Sequence, residues 1–222
     1  MINEDRVLSR PEAGMWAVAD GMGGHRAGDY AAQQCIDALA RVVPHGSAFR
    51  YLNAALEAIS TTNASLFSQS MTDPQRKGMG TTLVTLLVYD AHLACLWAGD
   101  SRAYRWRSGV LEQLTTDHSL VQGMIDRGEI EATDRGQHPQ SHVITRAIGA
   151  FPTVELDKTF SMIMRGDKFL ICSDGLSNSI TNEALADQLA APLTLSDQAE
   201  AILQAAMETE ASDNISFVLL HT

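Results

Sequence analysis

Three aspartates in this chain close apolar runs, and each is followed by a small residue. Ala17-Val18-Ala19 leads into Asp20-Gly21, Leu96-Trp97-Ala98-Gly99 into Asp100-Ser101, and Phe169-Leu170-Ile171-Cys172-Ser173 into Asp174-Gly175. A fourth, Asp213, stands with Asn214 just ahead of the run Ile215 to Leu220. If the runs are strands paired antiparallel, the end of one lies beside the start of its neighbour. The four carboxylates are then expected to meet at a single sheet edge, with Glu4-Asp5 as an addition. Such a cluster is unfavourable unless protons or cations neutralise it. Oxygen-only ligands suit hard cations such as Mg²⁺, Mn²⁺ or Ca²⁺, and the His/Cys set of a zinc site is missing. Two divalent ions bridged by carboxylate serve phosphate-ester hydrolysis well, because a shared water loses its proton easily and both ions stabilise an in-line displacement. Taken singly, Asp-Gly is the commonest turn signal after a strand. The weight lies in four such places with matching surroundings. No Gly-x-x-x-x-Gly-Lys loop and no Gly-x-Ser-x-Gly elbow is present, so neither P-loop nucleotide binding nor a serine nucleophile is indicated.

The elements that must position these residues read as strand, helix, helix, a block of strands, helix, strand, helix, helix, strand. Ala32, Cys35, Ile36, Leu39, Val42 and Val43 follow helical spacing, ended by Pro44 and Gly46. Leu52, Leu56, Ile59, Leu66 and Phe67 mark a second helix. Thr82 to Val88 and Leu93 to Ala98 are apolar on both faces, with Tyr89-Asp90-Ala91-His92 as the turn between them, so both faces must be covered. Ala103, Tyr104 and Trp106 mark the next strand, and Leu185 to Leu189 and Ala199 to Met207 supply late helices. The expected fold is α+β, an α-β-β-α sandwich of two stacked antiparallel sheets flanked by helices. One domain over residues 1–222 is expected, because no repeat or low-complexity linker marks a seam. Residues 123–141 are the most polar stretch and form a candidate flap.

Bulk properties narrow the partners. The chain has 222 residues with 16 Lys+Arg against 27 Asp+Glu, a formal charge of -11 that disfavours nucleic acid and anionic lipid. Cys35, Cys95 and Cys172 sit in apolar stretches and read as core residues of a protein kept reduced. No apolar run is long enough to span a bilayer and no leader pattern opens the sequence. A cytoplasmic monomer, bound to neither membrane nor nucleic acid, is expected.

Eight segments in order resemble the motifs of bacterial type 2C (PPM) metal-dependent protein serine/threonine phosphatases. They are Asn3-Glu4-Asp5, Ala19-Asp20-Gly21-Met22-Gly23-Gly24-His25, Gly80-Thr81-Thr82, Gly99-Asp100-Ser101-Arg102, Leu114-Thr115-Thr116-Asp117-His118-Ser119, Ile144-Thr145-Arg146-Ala147-Ile148-Gly149, Cys172-Ser173-Asp174-Gly175-Leu176 and Ser212-Asp213-Asn214. The resemblance implies two catalytic Mn²⁺ or Mg²⁺ ions and a weaker third. Asp20 would bridge the pair, with the Gly21 carbonyl on one ion. Asp174 and Asp213 would complete the first ion, Glu4 would approach the second, and Asp100 with Asp174 would hold the third. The implied substrate is phosphoserine or phosphothreonine in proteins, written by a partner serine/threonine kinase.

His25 and Arg146 are the candidate substrate-binding residues. For His25, a substrate-edge contact and a structural hydrogen bond both stand. A general-acid role carries over poorly, because animal relatives place a His directly after the Asp-Gly, where this chain has Met22. Arg102, Asp117 and His118 are expected to fix loops, and Thr81 and Thr82 to hydrogen-bond the backbone of the site. The family's phosphate-binding Arg falls four residues before the Glu matched by Glu4, ahead of Met1, so a truncated or misannotated start is expected. Two other functions compete. One is a phosphoprotein- or kinase-binding pseudophosphatase; the other is a stress-response phosphatase acting on an anti-sigma antagonist. The full Gly-Thr-Thr and Gly-Asp-Ser-Arg motifs favour a kinase-opposing enzyme.

Overall fold

The computed structural model describes residues 3–23, 27–209 and 213–222. Asp5–Arg10 (β1) and Met15–Met22 (β2) form a hairpin whose turn ends at Gly14, left-handed at φ +61°. Two helices follow, Ala27–Ala40 (α1) and Ala48–Thr72 (α2). The strand block comprises Gly80–Thr81 (β3), Leu83–Tyr89 (β4), His92–Ala98 (β5), Arg102–Arg107 (β6) and Val110–Gln113 (β7). After Leu120–Asp126 (α3) come Asp157–Met162 (β8) and Lys168–Cys172 (β9). Asp174–Ser177 (α4), Asn182–Ala190 (α5), Leu195–Met207 (α6) and Phe217–His221 (β10) complete the chain.

The strands make two antiparallel sheets. One runs β1-β2-β4-β5-β8, with β3 paired to β2; the other runs β10-β9-β6-β7. Side-chain alternation decides the layers. On one face of the first sheet Val18, Val84, Leu86, Leu93, Cys95 and Trp97 meet Ala103, Phe169 and Ile171 of the second. The opposite face of the first sheet packs Met15, Leu83, Leu87 and Leu96 under α1 and α2, through Cys35, Leu39, Tyr51 and Ile59. The second sheet's outer face carries Tyr104, Leu170 and Cys172 against Leu176, Leu185, Leu189 and Ile202 of the late helices. Each buried Leu, Ile or Phe is worth roughly 1.5–3 kcal/mol, so the central strands are apolar on both faces because both are buried. The α-β-β-α order expected from the sequence is the order found.

Several boundaries differ from the sequence reading. The first helix stops at Ala40 instead of running to Val43. Arg10 explains the stop, donating Nη1 to the carbonyls of Ala40 at 2.6 Å and Val42 at 2.9 Å, which supplies the open end with a cation and a donor. Strands β1, β7 and β8 were not anticipated. Each is short and carries only two apolar residues, and β8 lies at a sheet edge with Lys158, Phe160 and Met162 outward. Among the described residues, no helix is long and apolar enough to cross a membrane.

Candidate metal centre and active site

The carboxylates do not meet at one sheet edge, as the sequence had suggested. Asp5, Asp20 and Asp100 come from the first sheet or its end, whereas Asp174 and Asp213 follow and precede strands of the second. They gather where the two stacked sheets open at a common end. The reason is the stacking itself, since the ends of β2 and β9 approach from opposite layers.

Main-chain contacts fix the centre of this group. Asp20 faces Asp5 directly in the β1–β2 register. The Asp20 carbonyl accepts from the Thr82 N–H at 2.8 Å and from Thr81 Oγ1 at 2.9 Å, while the Asp20 N–H donates to Thr82 Oγ1 at 3.1 Å. Thr82 Oγ1 also lies 2.7 Å from Ser101 Oγ, joining the Asp20 and Asp100 loops. Gly21 presses against Gly28 of α1, and a Cβ on Gly21 would land on the Gly28 carbonyl. Gly175 meets the carbonyl of Asn214 in the same way. These glycines are small because backbone lies against backbone, which brings Asp213-Asn214 to Asp174 and the start of α1 to Asp20. A Cβ on Gly28 would sit 2.7 Å from Glu4 Oε2, so Glu4 reaches the same spot. Glu4 is tied there by its N–H to Asn214 Oδ1 at 3.1 Å and by its carbonyl to the Gly21 N–H at 3.3 Å.

The electrostatics follow from this crowding. Burial pushes Asp20 up to about 9, with Asp5, Asp174, Asp213 and Asp100 adding to the shift. Burial likewise raises Asp100 to about 7, with Asp174 and Asp117 adding. Asp5, Asp174 and Glu4 are also raised, in each case mainly by burial, with Asp213 nearby adding to all three. Crowding of these buried carboxylates favours their protonated forms where no cation offsets the charge. Asp174 Oδ1 is fully buried and has no hydrogen-bond partner among the described residues. An unpartnered carboxylate oxygen inside an acidic cluster is what a hard cation would satisfy. Among those residues no three His, Cys, Asp or Glu side chains close into a cage for one ion. An ion here would therefore draw on main-chain oxygen and water as well. The donor set is oxygen throughout, and it fits Mn²⁺ or Mg²⁺.

Sequence reasoning gave Asp5 no role of its own. Asp5 is 5% exposed, faces Asp20, and accepts from Ser173 Oγ at 2.8 Å. Ser173 Oγ in turn accepts from the Ser216 N–H at 3.1 Å. The signal available was the second acid of Asn3-Glu4-Asp5 at the start of a short strand.

Beside Asp100 and Asp174 lies a cavity of about 150 Å³, also lined by Arg102, Asp117, Arg135 and His142. Arg102 grips Asp117 through Nε at 2.9 Å and Nη2 at 2.7 Å, and Arg135 Nη1 bonds the same carboxylate at Oδ2. Arg102, Asp117, Thr81 and Thr82 thus fix loops and backbone as their types suggested. Arg146 donates Nη1 to Asp157 Oδ1 at 2.5 Å and is half-buried. His25, the other candidate substrate residue, lies outside the described residues.

The family model described as protein phosphatase 2C matches residues 1–210. The serine/threonine protein phosphatase PstP of Mycobacterium tuberculosis is 36% identical over 220 residues, covering 98% of this chain and 41% of that protein. The serine/threonine phosphatase stp of Listeria monocytogenes is 34% identical over 213 residues, covering 91% of this chain and 82% of the relative. A crystal structure of the catalytic domain of PstP in complex with two manganese ions superposes with a TM-score of 0.86 at 35% identity, covering 98% of this chain and 90% of that one. The chain therefore spans less than half the length of the mycobacterial relative and most of the Listeria one.

Proposed function

This chain belongs to the protein phosphatase 2C family, and on that premise we propose that it hydrolyses phosphoserine and phosphothreonine in proteins, using two Mn²⁺ or Mg²⁺ ions and a weaker third. The observation that carries the reading is the acidic cluster with the unpartnered Asp174 Oδ1 inside it. Asp20 and the Gly21 carbonyl would hold the central pair, with Asp174 and Asp213 on one ion and Glu4 on the other; Asp100 and Asp174 would take the third. When bound, such ions make a water nucleophilic near neutral pH and offset charge on the phosphoryl oxygens. The chain's own part is to hold Asp20 by Thr81 and Thr82, and to hold Asp5 beside it through Ser173.

His25 and Arg146 are proposed at the substrate edge, Arg146 as an extension of its pair with Asp157. Residues 1–222 are read as one catalytic unit in which 123–141 act as a flap. The partners that fit are phosphorylated proteins and a cognate serine/threonine kinase in a signalling role, with the enzyme acting as a monomer. The buried free thiols Cys35, Cys95 and Cys172 support a reducing compartment such as the cytoplasm. The complete carboxylate set leaves a non-catalytic phosphoprotein binder without a supporting feature. Turnover of a phosphothreonine peptide should require Mn²⁺ or Mg²⁺ and stop in excess chelator; undiminished turnover in chelator would overturn the reading.

A further inference from the structure

His118 touches no member of the carboxylate cluster, yet it commands the peptide that leads to one. It is 9% exposed, and its ring lies flat on Trp97, the planes 11° apart and the centroids separated by 6.1 Å. Its Nδ1 accepts from the Gly99 N–H at 3.1 Å, and its own N–H donates to the Gly99 carbonyl at 2.9 Å. One residue therefore holds both polar groups of Gly99. That peptide has little room to relax, because Gly99 sits at φ +110° and a Cβ there would lie 2.6 Å from Thr82. Asp100 comes next.

The same residue closes the root of the 120–144 excursion. The His118 carbonyl accepts from the Thr145 N–H at 2.8 Å, and the Val143 carbonyl from the Leu120 N–H at 2.8 Å. Acceptance at Nδ1 places the ring proton on Nε2. Nε2 lies 3.1 Å from Asp157 Oδ2 but off the hydrogen-bond axis, so the Gly99 contact is the better formed of the two.

We propose that His118 is a positioning residue for Asp100, locking the Gly99 peptide so that Asp100 presents its carboxylate to the weakly held third ion and joining that ligand to the root of the flap. The proposal rests on the reading of Asp100 as a third-ion ligand. A merely space-filling histidine would contribute through its ring volume and its stack on Trp97. A positioning one acts through the acceptor at Nδ1, and amide side chains separate the two roles. Asparagine places its oxygen near the position of Nδ1, whereas glutamine places a polar atom near Nε2 and leaves the Gly99 N–H without a partner.

The test is Mn²⁺ titration of the whole chain by calorimetry, comparing the parent with His118→Asn and His118→Gln. In His118→Gln the weakest ion should lose about tenfold or more in affinity, as expected for one buried hydrogen bond. His118→Asn should stay within about threefold of the parent, and the two tighter ions should be unchanged in both. Equal weakening in the two variants, or all ions weakening together, overturns the proposal. So does a parent protein that takes only two ions, an outcome that leaves the two-ion phosphatase reading intact. A parent that binds three ions without turning over phosphopeptide would instead defeat the phosphatase reading and leave the clamp standing. Should His118→Gln fail to fold, ¹⁵N shifts of the parent's histidines decide the matter. An unprotonated Nδ1 on His118 supports the clamp, and a protonated one overturns it.

Discussion

Asp20 lies near the end of β2 and Asp100 just past the end of β5 in the same sheet, yet they are held by different means. Asp20 is fixed by the β1–β2 register, by Thr81 and Thr82 on its peptide groups, and by Gly21 lying against Gly28. Asp100 stands beyond the end of β5. Its position depends largely on side chains: His118 Nδ1 on the Gly99 N–H, beside one main-chain bond between the same residues, Ser101 on Thr82, and Arg102 on Asp117. Backbone contact admits few alternatives, because a displaced strand forfeits several hydrogen bonds together. Side-chain clamps can be removed one by one. The centre of the site should therefore respond to substitution as an all-or-none unit, and its flank by degrees.

The largest effects belong to the centre. Asp174→Asn or Asp20→Asn removes a charged ligand from the cluster's core and should lower turnover of a phosphothreonine peptide under saturating Mn²⁺ by orders of magnitude. Asp100→Ala should reduce turnover less and leave two ions bound in a calorimetric titration. If Asp100→Ala empties the site as completely as Asp174→Asn, the contrast between centre and flank is wrong.

Next come the glycines that let backbones touch. Gly21→Ala and Gly175→Ala each drive a Cβ onto a carbonyl, of Gly28 and Asn214 respectively. Neither carbonyl can swing aside as a side-chain tip would, so a stability loss of about 1–3 kcal/mol is expected in urea unfolding. Gly136 offers the comparison within the flap. Nothing lies within 4 Å of a Cβ there, and Gly136→Ala should fall within about 0.5 kcal/mol of the parent.

Protons provide a third way to compare the regions. Asp20 is raised to about 9 and Asp100 to about 7, so in metal-free protein both hold protons that the unfolded chain has released above about pH 4. A raised folded-state pKa contributes stability that is full below the unfolded value and is lost as pH rises through the folded value. The melting temperature of chelated protein should therefore fall from pH 5 to pH 9. Asp20→Asn should lessen the decline across the whole range, and Asp100→Asn only its part below about pH 7. Mn²⁺ binding at pH 7 should release protons, read as a buffer-dependent heat.

How much of this was legible in the sequence follows from the same contrast. The central strands could be read because runs buried on both faces are continuous in the sequence, and the aspartates stood out because they interrupt those runs. Strands β1, β7 and β8 escaped notice because Asp-Arg-Val-Leu-Ser-Arg, Val-Leu-Glu-Gln and Asp-Lys-Thr-Phe-Ser-Met each bury one face or less. The meeting of carboxylates from two sheets, instead of along one edge, could not be read from local pattern, since stacking is a property of distant residues. The sequence marks Gly21 and Gly175 only as small residues after an aspartate, whereas the structure uses them for room between backbones. The role of His118 was visible only as a loop-fixing type, because nothing in the sequence pairs it with Gly99, nineteen residues earlier.

A small effect should come from Arg135, and it bears on whether the excursion does more than cover the core. Arg135 reaches back from the excursion to Asp117, and its other terminal nitrogen bonds Gln122 Oε1. Asp117 is 5% exposed, so losing all its partners would leave a buried charge uncompensated. Arg135→Ala does not do that, because both Asp117 oxygens still accept from Arg102. The stability cost should therefore stay below about 1 kcal/mol, as for a partly exposed pair. What changes is the tether, since residues 132–137 lose an ionic hold on the core while the stem at Leu120 and Val143 remains. A small aryl phosphate reaches only the centre and should be hydrolysed at nearly the parental rate. If residues 123–141 act as the proposed flap, a phosphopeptide contacts them, and its KM should shift by about twofold to fivefold with little change in kcat. The deciding measurement is the ratio of kcat/KM for the peptide to that for the aryl ester, in parent and variant under saturating Mn²⁺. An unchanged ratio would make residues 123–141 scaffolding alone. A changed ratio with an intact melting temperature would give the flank a part in substrate choice that the centre, for all its rigidity, does not have.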